Sequence, residues 1–343
     1  MRGLALLVLL GVVGCTPLRY VTQAAAGQAE LLDGKRDIDE ILREGGQDPR
    51  TRRLLSRVPG IKAFGERHGL RHTRNYETFV DLHRDAVVWV VSASAPLEFR
   101  SVAWKFPVTG SITYLGWFHR PEADTFAEGL RKKGLDVDVR GASAYSTLGW
   151  FDDPVLSSML WPGDEALGEL ADVILHESLH ATYFVPGQSI LNESVANFVG
   201  NSLAVEYLDQ VAGSCANEKT SYLQVEAEAG ARSRAMKAAF FELRTLYASA
   251  APDAVKLEKK TGILQRLKQE TRLKRPINNA TLVQYETYGS GDAELAQLFQ
   301  SCARSWPRFL RTLESYRPRF RDASPHEDPG VLLRPLLPGG CLP

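Results

Sequence analysis

His176-Glu177-Ser178-Leu179-His180 places two imidazoles and a carboxylate within five residues. On a helix, residues four apart share one face, so both rings can point at a single ion. Neutral imidazole is a good zinc ligand, and the helix leaves the pair little freedom to lose on binding. Glu177 projects about 100° round the helix from His176, beside such an ion rather than onto it. A general base belongs there, because the metal lowers the pKa of its water toward ~7 and a nearby carboxylate can then take the proton.

A hydrolytic zinc site uses three protein donors and keeps one position for water. Glu193 is the candidate third donor, with twelve residues between it and His180. Pro186-Gly187 stops the first helix and Asn192-Glu193 opens a second. A carboxylate in the first turn of an antiparallel neighbour can meet both histidines. Glu206 and more distant acids compete for the role. Asn197, one turn beyond Glu193, is placed to orient a ligand histidine from behind the metal's own donors.

The elements carrying these residues are two predicted helices, 164–184 and 192–208. Leu167, Leu170, Ile174 and Leu175 give the first an apolar stripe. Packing alone does not explain two histidines and a glutamate on such a helix. Upstream, residues 18–82 read as helical, with segments at 24–32, 38–42 and 51–55 broken by Gly45-Gly46 and Pro59-Gly60. Residues 86–91 form a buried-strand run, 99–106 alternate, 111–118 read as a third strand, and 135–144 alternate again. A helix over 121–133, closed by Gly134, lies among them. Residues 217–317 are mainly helical, turning at 276–279, and 318–343 are rich in proline and glycine, which suggests an irregular tail. The expected class is α+β: a small, mostly antiparallel or mixed sheet, then the active-site helix, then a largely helical C-terminal half.

The 343 residues are 44% hydrophobic and 24% charged, enough for a substantial core. Lys plus Arg and Asp plus Glu both number 41, so no global basic field draws nucleic acid, and no Lys/Arg cluster suggests a nucleic-acid partner. Arg2 followed by the apolar run 4–13 has the form of a signal peptide, too short to span a bilayer. It ends at Val13-Gly14-Cys15, which resembles a bacterial lipobox. Residues 1–14 are therefore expected to be removed, leaving a single domain over 15–343 anchored through lipid on Cys15. Thr16 leans toward an outer-membrane anchor facing the periplasm. Cys215, Cys302 and Cys341 remain, and three cysteines leave at least one unpaired. A Cys302–Cys341 bridge would tie down the tail, although the sequence leaves the pairing open.

These residues resemble the gluzincin group of zincins, with His-Glu-x-x-His on one helix and a glutamate ligand on the next. The chain more closely resembles a bacterial lipoprotein family described as aminopeptidases. The resemblance runs through Ala26-Gly-Gln-Ala-Glu-Leu-Leu32, Ala144-Tyr-Ser-Thr-Leu-Gly-Trp-Phe-Asp-Asp-Pro154, the helix motif, Asn192-Glu-Ser-Val-Ala-Asn-Phe-Val-Gly200 and Asn278-Asn279-Ala280, and covers nearly the whole mature chain. It implies a zincin-like fold and a zinc metallopeptidase releasing N-terminal residues. Leu179 departs from the alanine expected beside the second histidine.

A peptide substrate is the expected partner, and peptides commonly dock on such enzymes as an added strand. Ala142, Ser143, Ala144 and Tyr145, small-sided and strand-like, are the candidate edge. Tyr183, Tyr285 and Tyr288 are the candidates for an electrophile stabilising the tetrahedral intermediate. Glu98, Asp152 and Asp153 are available for a substrate ammonium, and the spacing selects none of them. An endopeptidase using the same site, or a lipid-anchored zinc-binding or assembly protein without turnover, are the alternative functions.

Overall fold

The computed structural model describes residues 15–106, 110–144, 152–211, 216–287, 289–324 and 327–342. In chain order the elements are α1 (Cys15–Asp33), β1 (Arg36–Asp37), α2 (Ile38–Glu44), α3 (Pro49–Arg67), β2 (Thr78–Val80), β3 (Val88–Ser94), β4 (Trp104–Phe106), β5 (Gly110–Ile112) and β6 (Tyr114–Trp117). There follow α4 (Arg120–Arg131), β7 (Asp136–Ala142), β8 (Val155–Leu156), α5 (Ala166–Thr182), α6 (Ser189–Gln210), α7 (Ala216–Ala248) and α8 (Asp253–Thr271). The last are α9 (Asn279–Leu282), α10 (Asp292–Ser301), α11 (Trp306–Arg321) and α12 (Pro329–Leu333). The class is α+β, as the residue pattern suggests. Among the described residues no helix is long and apolar enough to cross a membrane.

Two compact units divide the chain. One comprises Met1–Gly34, Ala86–Ser143 and Ala235–Glu286. Its main sheet is antiparallel, in the order β6-β3-β7. β3 is buried at both even and odd positions, as expected of a central strand. α4 starts with Pro121 in its first turn and buries Ala123, Ala127 and Leu130, one helical face, against β3 residues Val91 and Ala93. β7 is an edge strand held at its start by polar anchors. Lys260 Nζ pairs with Asp136 Oδ2 at 2.5 Å, Arg275 pairs with Asp138, and Asn278 Nδ2 donates to the Val137 carbonyl at 2.9 Å.

The second unit comprises Lys35–Asp85, Ala144–Arg234 and Thr287–Pro343. α5, the predicted motif helix, packs against α3 and α6. Gly65 brings α3 close to α5, since a Cβ there would lie 2.8 Å from Leu175 Cδ2. A small mixed sheet, β1-β2-β8, has β1 antiparallel and β8 parallel to β2. Cys302 and Cys341 form a disulfide, and the Leu342 N–H donates to Thr312 Oγ1 at 3.0 Å, so the chain end is fastened to α11. Cys215 lies outside the described residues.

Three local expectations are corrected. Pro59-Gly60 does not break α3, which runs unbroken from Pro49 to Arg67. An internal proline costs about 3 kcal/mol, but Leu54, Leu55, Val58, Ile61 and Phe64 are buried on both sides of it and hold the helix together. Among the described residues the β-structure forms three small sheets rather than one, because β4 and β5 pair with each other, β6 pairs with β3, and β1 and β8 pair with β2. The tail carries α12, capped by Asp328, whose carboxylate accepts from the Val331 N–H, where an irregular segment was expected.

Candidate metal centre

α5 ends at Thr182, and only six residues separate it from α6, which begins at Ser189. Short connections of this kind join antiparallel neighbours. Asn192 fixes the connection: its Nδ2 donates to the Val185 carbonyl and its Oδ1 accepts from the Val185 N–H, both at 2.9 Å. α6 starts at Ser189, earlier than the pattern suggests, so Glu193 occupies the second turn rather than the first. A general attraction of acids to helix N-termini therefore accounts less well for this carboxylate, since that effect fades beyond the first turn.

The helix pair brings the three donors together. His176 Nε2 and His180 Nε2 are 3.1 Å apart, His180 Nε2 lies 3.4 Å from Glu193 Oε1, and His176 Nε2 lies 3.6 Å from Glu193 Oε2. Donors held at about 2.1 Å from a tetrahedral ion are spaced roughly 3.4 Å from one another, so these separations fit such an ion. Among the described residues, these three are the group of His, Cys, Asp or Glu side chains able to hold a metal. Two imidazoles and one carboxylate match the donor chemistry of zinc.

The charges follow this convergence. Burial works against ionised Glu193, but the two histidines hold its carboxyl down at about 2. Its side chain remains 57% exposed, the open side of the cluster. Burial lowers the His176 pKa, but Glu193, Glu177 and Asp172 outweigh it and the net shift is upward. Glu177 is half-buried on α5, and its charge acts on both His176 and Tyr76.

Beside the donors, on α5, α6 and α7, lies a half-buried polar network around the buried Tyr222. Asn201 Nδ2 donates to Tyr222 Oη at 3.0 Å and to Glu226 Oε2 at 2.7 Å. Tyr222 in turn hydrogen-bonds Asp172. Burial, with Glu226 and Asp172, raises Glu169 to about 7; burial likewise raises Asp172 to about 7 against the pull of His176. Asp172, Tyr222 and Tyr76 were not singled out from the sequence. Asp172 had a usable signal, since it lies one turn before His176 on the same face of α5. Tyr76 is fully buried with φ +65°, a left-handed backbone that a tyrosine rarely adopts.

Asn197 is exposed, and among the described residues no hydrogen bond joins it to either histidine; His180 Nδ1 is buried without a partner. Glu206 accepts from Trp306 Nε1 at 3.1 Å, and thirteen residues of helix at 1.5 Å each separate it from Glu193 by about 20 Å. Tyr183 is 3% exposed, with the Arg317 guanidinium 5.4 Å from its ring centroid, and its hydroxyl has no partner. Tyr285 packs beside the cluster of Phe240, Ile263 and Leu282. Ala142 ends β7, with Ser143 and Ala144 following; Tyr145 and Tyr288 lie outside the described residues. Glu98 pairs with Arg100 at 2.6 Å, Asp152 with Arg74 at 3.5 Å, and Asp153 is buried, its main-chain carbonyl accepting from the Tyr76 N–H at 2.6 Å. Cys15 is the first residue of α1.

Across one helix pair, this α+β chain brings together three side chains able to hold a metal ion. The family model described as "Putative aminopeptidase" matches residues 19–322, and the chain belongs to that family. No curated protein and no solved structure matches.

Proposed function

We propose that the protein is a zinc metallopeptidase of gluzincin type that removes N-terminal residues from peptides. The observation that carries this reading is the 3.1, 3.4 and 3.6 Å spacing of the His176, His180 and Glu193 donor atoms. Zinc, when bound, polarises the scissile carbonyl and makes water acidic enough to lose a proton near neutrality. Glu177 takes that proton and delivers it to the leaving amine, so one carboxylate serves as base and then as acid. His176, His180 and Glu193 hold the ion, and the helix pair holds them without large rearrangement. The family's description favours exopeptidase action. Cys15 is the proposed lipid attachment, which would place the domain on a membrane facing the periplasm.

The test is metal analysis of purified protein alongside hydrolysis of free and N-blocked peptide amides. One zinc per chain, lost in His180→Ala, with cleavage of the free amides alone, is expected. Equal cleavage of blocked peptides would make the enzyme an endopeptidase. One equivalent of zinc with no cleavage of any peptide would sink the hydrolase reading. For the anchor, partition into detergent should be lost in Cys15→Ala.

A further inference from the structure

We propose that Asp172 is a positioning residue for His176: it accepts the ring's Nδ1–H once Nε2 faces a metal, and Tyr222 holds it in place. This rests on reading His176, His180 and Glu193 as metal donors.

The network has a direction. Asn201 can only donate through Nδ2, so Tyr222 Oη accepts from it and keeps its own proton for Asp172. That interaction uses part of the Asp172 carboxylate. Its Oδ1 is buried and has no partner among the described residues. A buried acceptor left open in this way calls for an explanation. Asp172 lies one turn before His176, on the same face of α5. His176 Nε2 is turned toward His180 and Glu193, so a metal bound among them leaves the neutral ring's proton on Nδ1. Ligand histidines are commonly oriented by an acceptor on that second nitrogen.

Two helix glycines make room for the arrangement. A Cβ at Gly200 would lie 2.6 Å from Asp172 Oδ1 and 2.9 Å from His176 Cβ, so one gap in α6 borders both groups. A Cβ at Gly168 would lie 2.4 Å from Tyr222 Cγ, so α5 admits the tyrosine ring only because that residue has no side chain. Each glycine costs a helix interior about 1 kcal/mol relative to alanine. Tyr222 and Asp172 occupy the space so created.

The experiment measures zinc affinity of the full chain by competition with a chelator, with the visible spectrum of the Co(II)-substituted protein as a second readout. Asp172→Ala should weaken zinc roughly 10- to 100-fold, and Asp172→Asn should recover part of the loss because its amide oxygen still accepts. Tyr222→Phe, which keeps the ring packing, should weaken zinc in the same direction and alter the Co(II) spectrum. Wild-type affinity and spectrum in Asp172→Ala or in folded Tyr222→Phe would overturn the proposal while the donor assignment stands. A wild-type chain that binds no zinc, or a His180→Ala variant that binds it equally well, would overturn both.

Discussion

Asn192 and Val185 are joined twice, side chain to backbone, through the Asn192 amide oxygen and nitrogen, each at 2.9 Å. Glu193 is the next residue, so the clamp that closes the α5–α6 turn also sets where the third donor emerges. Asn192→Ala leaves the buried Val185 N–H unpaired, at about 1–3 kcal/mol, while the Val185 carbonyl keeps the Gln188 N–H at 3.1 Å. A lower melting temperature, together with weaker zinc binding, is the expected outcome. Unchanged zinc affinity would mean that α6 places Glu193 without the clamp.

In the proposed mechanism Glu177 acts as the base without supplying a metal donor. Glu177→Gln should therefore keep one equivalent of zinc while kcat falls by roughly 10²–10⁴-fold, the usual contribution of a positioned base. Metal content and turnover measured on the same preparation separate this from loss of the site. Undiminished turnover would remove Glu177 from the mechanism.

Acid should affect the metal-free protein in an unusual sense. Burial, then Glu226, Asp172 and Glu165, raises Glu169 from 4.5 to about 7. Between those values the folded chain holds a proton that the unfolded chain has released, so stability is full below about 4.5 and declines as pH rises to about 7. The raised pKa of His176 acts in the same direction: its contribution is present below 6.5 and fades as pH climbs through the folded value. Glu193, held at about 2, changes only in stronger acid. Melting temperatures of the apoprotein should fall from pH 5 to 7, and Glu169→Gln should flatten the trend. A steady rise over that interval in both proteins would contradict the assignment.

The Cys302–Cys341 bond spans 39 residues. Closing a loop of that size in the unfolded chain contributes up to about 4 kcal/mol by chain entropy. Reduction, or the paired Cys302→Ser and Cys341→Ser changes, should lower the unfolding free energy by about 2–4 kcal/mol on this basis. Coincident denaturation curves with and without reductant would show that the tail is secured by α12 and Thr312 alone.

The motif helix and its partner were legible because their signals are local. His176, Glu177 and His180 fix a spacing, an apolar stripe fixes the buried face, and Pro186-Gly187 marks the turn. The Glu193 position followed from that geometry, although the helix begins earlier than Asn192 suggests because Asn192 spends its side chain on Val185 instead of capping. Strands of two or three residues, such as β1 and β8, are too short to show a period and were invisible. Pro59 misled because local proline chemistry was weighed without the buried residues flanking it. Asp172 and Tyr222 are 50 residues apart in sequence, and only tertiary structure pairs them.

Replacing helix glycines with alanine is a standard route to more stable proteins. At Gly168 and Gly200 that advice should reverse. A single methyl at position 200 would meet Asp172 and His176 at under 3 Å, so Gly200→Ala is expected to wedge the two rods apart and loosen the metal's grip before it adds any helical stability. Laboratory evolution for heat resistance that keeps activity should leave both positions untouched, whereas selection for stability alone is free to fill them.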